Sequence, residues 1–222
     1  AEALHHSGYE CGAQVDISWI DSEDITEDNV AAQLAGCDGI IVPGGFGDRG
    51  IEGMITTAKY CREHDIPYLG ICLGMQIAVI EFARHVCGLA DANSGEFSKT
   101  SAHKIIDFLP DQSETIDKGA TLRLGAYPCH ILPGTRMHEC YGCDEIRERH
   151  RHRYEFNNDY REMLTDAGMT LCGQSPDGHI VEAVELSDHR FFVGVQFHPE
   201  FKSRPNRAHP LFKALVESSL KK

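Results

Sequence analysis

The sequence contains no run of about 18 or more apolar residues, so it predicts no membrane-spanning helix. Its first residues, Ala1-Glu2-Ala3-Leu4-His5-His6, lack the charged-then-apolar plan of a signal peptide. There is no initiator Met, and the expectation is that the chain starts inside a longer one. Basic charge is scarce. With 21 Lys plus Arg against 34 Asp plus Glu, the net charge of −13 argues against nucleic acid or an anionic membrane as a partner. Internal repeats and low-complexity linkers are missing too, so 1–222 is expected to be one domain. Its 222 residues, 41% hydrophobic, suffice for one packed α/β core. Nine cysteines is an odd count in a domain too large to need disulfide staples, which predicts reduced thiols and a cytoplasmic protein. Any reactive cysteine must then be separated from the rest by its context.

The first part of the chain alternates strand and helix patterns. Val15-Asp16-Ile17-Ser18-Trp19 alternates with period two and predicts a strand, and 26–34 a short helix with an acidic start. Gly39-Ile40-Ile41-Val42 and Pro67-Tyr68-Leu69-Gly70-Ile71 are short apolar runs of the kind buried on both sheet faces. Helices are expected over 51–64 and from Met75 to about Val86. Such βαβ units imply a parallel sheet flanked by helices. After about Asn93 strands dominate, at 105–108, 129–132, 171–174, 180–184 and 191–197. Short and amphipathic helices are expected at 160–167 and 209–220. A complete sheet implies one more strand before Ala1.

Three segments carry chemistry. Gly70-Ile71-Cys72-Leu73-Gly74 has the form G-x-C-x-G between strand and helix, matching a nucleophile elbow with Cys in place of Ser. The turn is so tight that its flanking residues must be small. It sets the sulfur at a helix N-terminus, where the dipole lowers a thiol pKa, and places the Leu73 N–H to donate to an oxyanion. A buried small Cys at a strand end is the plainer reading. Gln196-Phe197-His198-Pro199-Glu200 puts His198 and Glu200 two apart, on one side of an extended chain, where a carboxylate can orient an imidazole. Alone, that pair is equally an exposed polar pair. Pro43-Gly44-Gly45-Phe46-Gly47 follows a buried strand, and a Gly44 or Gly45 N–H can supply a second oxyanion donor. A flexible turn is the alternative. A phosphate loop is a poor one, because the Lys-Ser/Thr ending of a Walker loop is missing.

In this order, Gly-Gly-Phe-Gly, Gly-Ile-Cys-Leu-Gly-Met-Gln and Gln-Phe-His-Pro-Glu resemble the class I, or triad, glutamine amidotransferases. Residues 48–54, 92–97 and 148–155 further resemble the CTP synthase branch of that family, nearly end to end. The resemblance implies an α/β, flavodoxin-like fold, with a central, mostly parallel sheet flanked by helices and additional antiparallel strands. It implies that Cys72 is the nucleophile, His198 the general base and later acid, and Glu200 the orienting carboxylate. Gly44, Gly45 and Leu73 would form the oxyanion hole. Gly45, Phe46, Gln76, Glu96 and Arg153 would bind glutamine, since its α-carboxylate calls for a cation and its α-ammonium for an anion. Without the resemblance, 149–153 reads as a solvated basic strand. Arg123, in Leu122-Arg123-Leu124-Gly125, matches a lid segment linked in the family to GTP activation. The same resemblance implies no cofactor or metal in this domain. It places ATP, Mg²⁺ and UTP in an N-terminal amidoligase domain outside this chain, GTP as activator, and a homotetramer as the intact enzyme.

His138-Glu139-Cys140-Tyr141-Gly142-Cys143 departs from the family. Its C-x-x-C lacks the second ligand pair of a structural zinc site, and a loop with two exposed thiols is expected. Two rivals remain. One is a γ-glutamyl hydrolase or Cys peptidase on the same scaffold, and the other an inactive regulatory module. The glutamine-end motifs speak against the first and the intact Cys72, His198 and Glu200 against the second.

Overall fold

The computed structural model describes residues 1–108 and 123–221. Leu122, in the expected lid, lies outside them. Among the described residues the helices are α1 (Glu2–Cys11), α2 (Val30–Gln33), α3 (Ile51–Glu63), α4 (Leu73–His85), α5 (Arg136–Tyr141), α6 (Arg161–Asp166) and α7 (Pro210–Leu220). The strands are β1 (Ile40–Val42), β2 (Tyr68–Ile71), β3 (Asn93–Ser94), β4 (Lys104–Asp107), β5 (Arg123–Ile131), β6 (Glu145–His152), β7 (Glu155–Phe156), β8 (Met169–Gln174), β9 (Val181–Leu186) and β10 (Phe192–Val195).

One sheet runs β1-β2-β10-β9-β8-β5-β6, and a smaller one β3-β4-β7. The expected parallel core is β1-β2-β10, in which β2 pairs in parallel with both neighbours. The remaining strands of the large sheet add on antiparallel. In β2 and β10 the side chains alternate between two cores. Tyr68 stacks on Phe192 at 4.5 Å on the α3–α4 side, while Leu69 and Val193 join the core on the α1–α7 side. Burial on both faces is why these runs are continuously apolar. Helix α4 is wrapped by α3, the large sheet and the small sheet, and Leu73 to Ala83 are all buried.

Val15-Asp16-Ile17-Ser18-Trp19 belongs to no strand. Residues 15–18 alternate between half-buried and exposed, but Trp19 is exposed as well and no described neighbour completes a ladder. Period two reports an extended backbone, whereas a strand also needs a partner. The basic run is a full strand, β6, whose faces differ sharply. Arg147, Arg149 and Arg151 are exposed, while Glu148, His150 and His152 are almost completely buried.

Candidate active site

Cys72 sits at the junction of β2 and α4 with φ 52 and ψ −100, a left-handed conformation outside glycine's usual monopoly. Such backbone costs on the order of 1–3 kcal/mol and persists only where its surroundings enforce it. Here the Cys72 N–H donates to the Val195 carbonyl at 2.7 Å, and the Tyr68 hydroxyl donates to the Gly74 carbonyl at 2.8 Å. The flanking glycines have no substitute. A β-carbon at Gly70 would stand 2.5 Å from the Gly74 carbonyl oxygen, and one at Gly74 would stand 2.1 Å from that of Val42.

The elbow delivers the thiol to a crowded pocket. The Gln196 amide Nε2 lies 3.6 Å from Sγ and the Arg151 carbonyl oxygen 3.9 Å. Burial pushes the Cys72 thiol up to about 12; the Leu73 N–H pulls it down, and Glu200, Glu155 and Glu96 push it further up. The sequence expectation was a lowered pKa. The helix N-terminus acts in that direction, but desolvation outweighs it. Burial therefore favours the protonated sulfur.

His198 is brought to the same place by β10, which lies beside β2. Its Nδ1 contacts Glu200 Oε1 at 2.7 Å, and its backbone N–H donates to the Arg149 carbonyl at 2.7 Å. Glu200 is not on an extended strand as the spacing suggested. β10 ends at Val195, and Glu200 sits in a 3-10 turn at Pro199–Lys202, which curls the carboxylate back onto the ring. With Nδ1–H donated to a carboxylate, the ring's lone pair is on Nε2. That atom is buried and has no hydrogen-bond partner among the described residues.

Gly44 closes the group. A β-carbon there would lie 3.5 Å from Cys72 Cβ and 2.7 Å from His198 Cε1, so both side chains abut this glycine. Gly45 faces Leu73, and the Gly47 N–H donates to Glu96 Oε1 at 3.3 Å, tying the loop to the 92–97 segment. Glu96 is raised by burial and lowered by the Gly47 N–H and by Arg153 nearby. Phe46 stands exposed, with the Arg151 guanidinium 5.5 Å from its ring centre. Gln76, one turn along α4, is buried. Its Nε2 donates to the Tyr154 carbonyl at 3.2 Å and to Gln196 Oε1 at 3.1 Å.

Among the described residues, Arg123 has no hydrogen bond or ion pair with Cys72 or His198 but joins a buried charged cluster. Its guanidinium meets Glu182 at 2.7 Å and Glu155 at 3.5 Å, and it lies over the Tyr127 ring at 4.6 Å. His150 and His152 complete this buried cluster, with His150 Nδ1 2.9 Å from His152 Nε2 and His152 Nδ1 3.4 Å from Glu155. Arg123, expected in a lid segment, is thus an internal ion-pair partner in this conformation. Cys140 is half-buried and Cys143 exposed. Among the described residues no group of three or more His, Cys, Asp or Glu is arranged to hold a metal ion, and no helix is long and apolar enough to cross a membrane.

Sequence reasoning missed Gln196 as a neighbour of the sulfur. The signal was available, since Gln196 stands two residues before His198 at the end of one strand. It also missed the backbone of β6, whose Arg149 and Arg151 carbonyls face His198 and Cys72.

A cysteine on a strained strand–helix elbow, a carboxylate-oriented histidine and a glycine loop, set on this mixed sheet, define a triad amidotransferase. The family model for class I glutamine amidotransferases matches residues 1–218, and the chain belongs to that family. Within it, the chain is similar to CTP synthases. It is 59% identical over its whole length to the CTP synthase of Carboxydothermus hydrogenoformans, and 58% identical over 98% of its length to that of Roseiflexus castenholzii. It spans 41% and 40% of those two proteins. Among solved structures, the glutaminase domain of Trypanosoma brucei CTPS with bound acivicin superposes with a TM-score of 0.94 at 39% identity, covering all of this chain and 86% of that one.

Proposed function

We propose that this chain is the glutaminase unit of a CTP synthase, hydrolysing L-glutamine to glutamate and ammonia through a Cys72 thioester. The observation that carries this reading is the packing of Cys72 and His198 on Gly44, with His198 Nδ1 held by Glu200 and Nε2 buried with no hydrogen-bond partner among the described residues. His198 Nε2 takes the thiol proton as Sγ bonds to the side-chain amide carbon of glutamine. The carbonyl oxygen becomes an oxyanion, held by the Leu73 N–H and a glycine N–H of the 44–47 loop. The carbon–nitrogen bond then breaks, and the proton on His198 passes to the leaving nitrogen, releasing ammonia. Water attacks the thioester and gives one proton to His198. The second tetrahedral intermediate collapses to glutamate, and the proton returns to Sγ.

The other end of glutamine meets Arg153, Glu96 and Gln76. Both amide protons of Gln76 point inward, to Tyr154 and Gln196, so its remaining carbonyl lone pairs are what it can offer a ligand. An acceptor there suits the α-ammonium, alongside Glu96, while Arg153 suits the α-carboxylate. Gly45 and Phe46 border the same cleft.

In the longer enzyme the ammonia aminates UTP to CTP with ATP and Mg²⁺ on an amidoligase domain, and GTP stimulates the glutaminase. That enzyme is a cytoplasmic homotetramer. Similarity to CTP synthases more than twice as long supports this part. The test is to incubate the protein with glutamine and follow glutamate and ammonia, then repeat with a γ-glutamyl peptide and, in the full-length protein, with UTP, ATP and GTP. Cys72→Ala should abolish glutamate release and Cys143→Ala should leave it unchanged. Turnover of the peptide in preference to glutamine, or activity surviving in Cys72→Ala, overturns the reading.

A further inference from the structure

Gln196 is fully buried, and its side chain is oriented by a chain of one-way hydrogen bonds. The Tyr154 carbonyl can only accept, so Gln76 must turn its NH₂ group toward it, at 3.2 Å. The same nitrogen lies 3.1 Å from the Gln196 side chain, which must therefore present its oxygen there. An amide that gives its oxygen to Gln76 has its nitrogen on the other side, and that nitrogen is the atom 3.6 Å from Cys72 Sγ. The polarity of the contact thus follows from Tyr154 and not from a choice between two look-alike amide orientations. The Gln196 backbone N–H donates to the Glu182 carbonyl at 2.8 Å, which fixes the other end of the residue.

We propose that Gln196 is a catalytic residue whose side-chain amide N–H stabilises the Cys72 thiolate as it forms. This rests on the reading of Cys72 as nucleophile and adds a group that acts on the reacting sulfur itself. The two partners of Sγ act in opposite senses. The Arg151 carbonyl, 3.9 Å away, can receive the S–H hydrogen and favours the thiol. The Gln196 N–H can only donate, and an anion accepts it more strongly than a neutral thiol does. Together with the Leu73 N–H, it compensates the sulfur for water lost on burial at the moment the proton leaves for His198. The site thereby keeps an inert thiol at rest and a solvated-equivalent thiolate on demand.

Losing a hydrogen bond to a charged group typically changes an equilibrium about ten- to a hundredfold. The test is carboxamidomethylation of the intact protein by iodoacetamide across pH 6–10, read separately at Cys72 and at exposed Cys143 by peptide mass spectrometry. Gln196→Met keeps the volume and removes the donor. Its Cys72 rate should fall at least about tenfold at fixed pH, its rate-versus-pH curve should move to higher pH, and the Cys143 rate should not change. kcat for glutamine should fall in parallel, with KM within about twofold. A merely structural residue would not move the pH curve at Cys72 alone. Superimposable curves for wild type and Gln196→Met overturn the proposal. Gln196→Glu is nearly isosteric and keeps the test decisive if the Met variant does not fold. It places a carboxylate against Sγ and should be slower still, and a wild-type rate in it overturns the proposal equally. Because labelling needs no glutamine turnover, a protein that labels as described yet hydrolyses no glutamine would defeat the functional reading and leave the Gln196–Cys72 interaction standing.

Discussion

A β-carbon added at Gly44 would stand 2.7 Å from His198 Cε1, inside the closest approach that real side chains make. The backbone of the 43–47 loop is thus pressed against the imidazole ring, and the position of one defines that of the other.

Gly44→Ala should therefore fold and fail. Gly44 has no positive φ, so the alanine backbone is unstrained, and the residue is exposed on its outer side. The ring must move by a fraction of an ångström, and displacements of that order cost up to about 10²-fold in rate. The expected result is a large fall in kcat with a melting temperature within a few degrees of wild type. Unchanged kcat would show that the loop does not set the histidine's place.

His198→Ala should remove most of the activity, with proton transfer typically worth about 10²–10⁴-fold. Glu200→Ala should cost less. It leaves the transferring nitrogen in place and removes only the 2.7 Å contact that fixes the ring and its tautomer. Steady-state kinetics on both variants decides the order, and equal losses would mean that Glu200 does more than orient.

Stability should depend on pH through Glu155. Burial pushes its carboxyl up from 4.5 to about 8, with Arg123 pulling it down and Glu182 adding to the rise. Between those two values the folded protein holds a proton that the unfolded chain has released. The contribution of this group to stability therefore falls as pH rises from about 4.5 to about 8, by at most about 1.4 kcal/mol per pH unit. His150 and His152, pushed down to about 2 and about 3 by burial, act the other way and lose stability in acid. Glu155→Gln should thus gain on wild type as pH is raised from 6 to 8.5. Thermal melts at both pH values check it, and a constant difference between the two proteins means that Glu155 is ionised throughout.

The strand–elbow–helix around Cys72 was legible because its causes are local. An apolar run, two small residues and a helix-forming stretch sit within twenty positions. The glycine loop was legible for the same reason. For His198 and Glu200 the sequence supplied the spacing but the wrong backbone, since Pro199 opens a 3-10 turn where extended chain was expected. The alternating pattern of 15–19 predicts a strand that does not form, because period two cannot report whether a neighbour exists. The basic run shows the limit most clearly. Its arginines are conspicuous in sequence, yet Glu148, His150 and His152 between them face the interior, and only which face of the strand packs against the core decides which set is buried.

The sequence by itself determined the parts and their chemistry: the cysteine elbow, the glycine loop, the histidine–glutamate pair, and a resemblance long enough to name the class. Tertiary structure alone decided how they meet. Cys72 and Gln196 are 124 positions apart and touch because β2 and β10 lie side by side in parallel register. It also decided that the thiol is raised rather than lowered, and that Arg123 is locked between Glu155 and Glu182. Both outcomes depend on how much water and which charges surround a group. Those surroundings are assembled from segments far apart in the chain, so no local pattern encodes them.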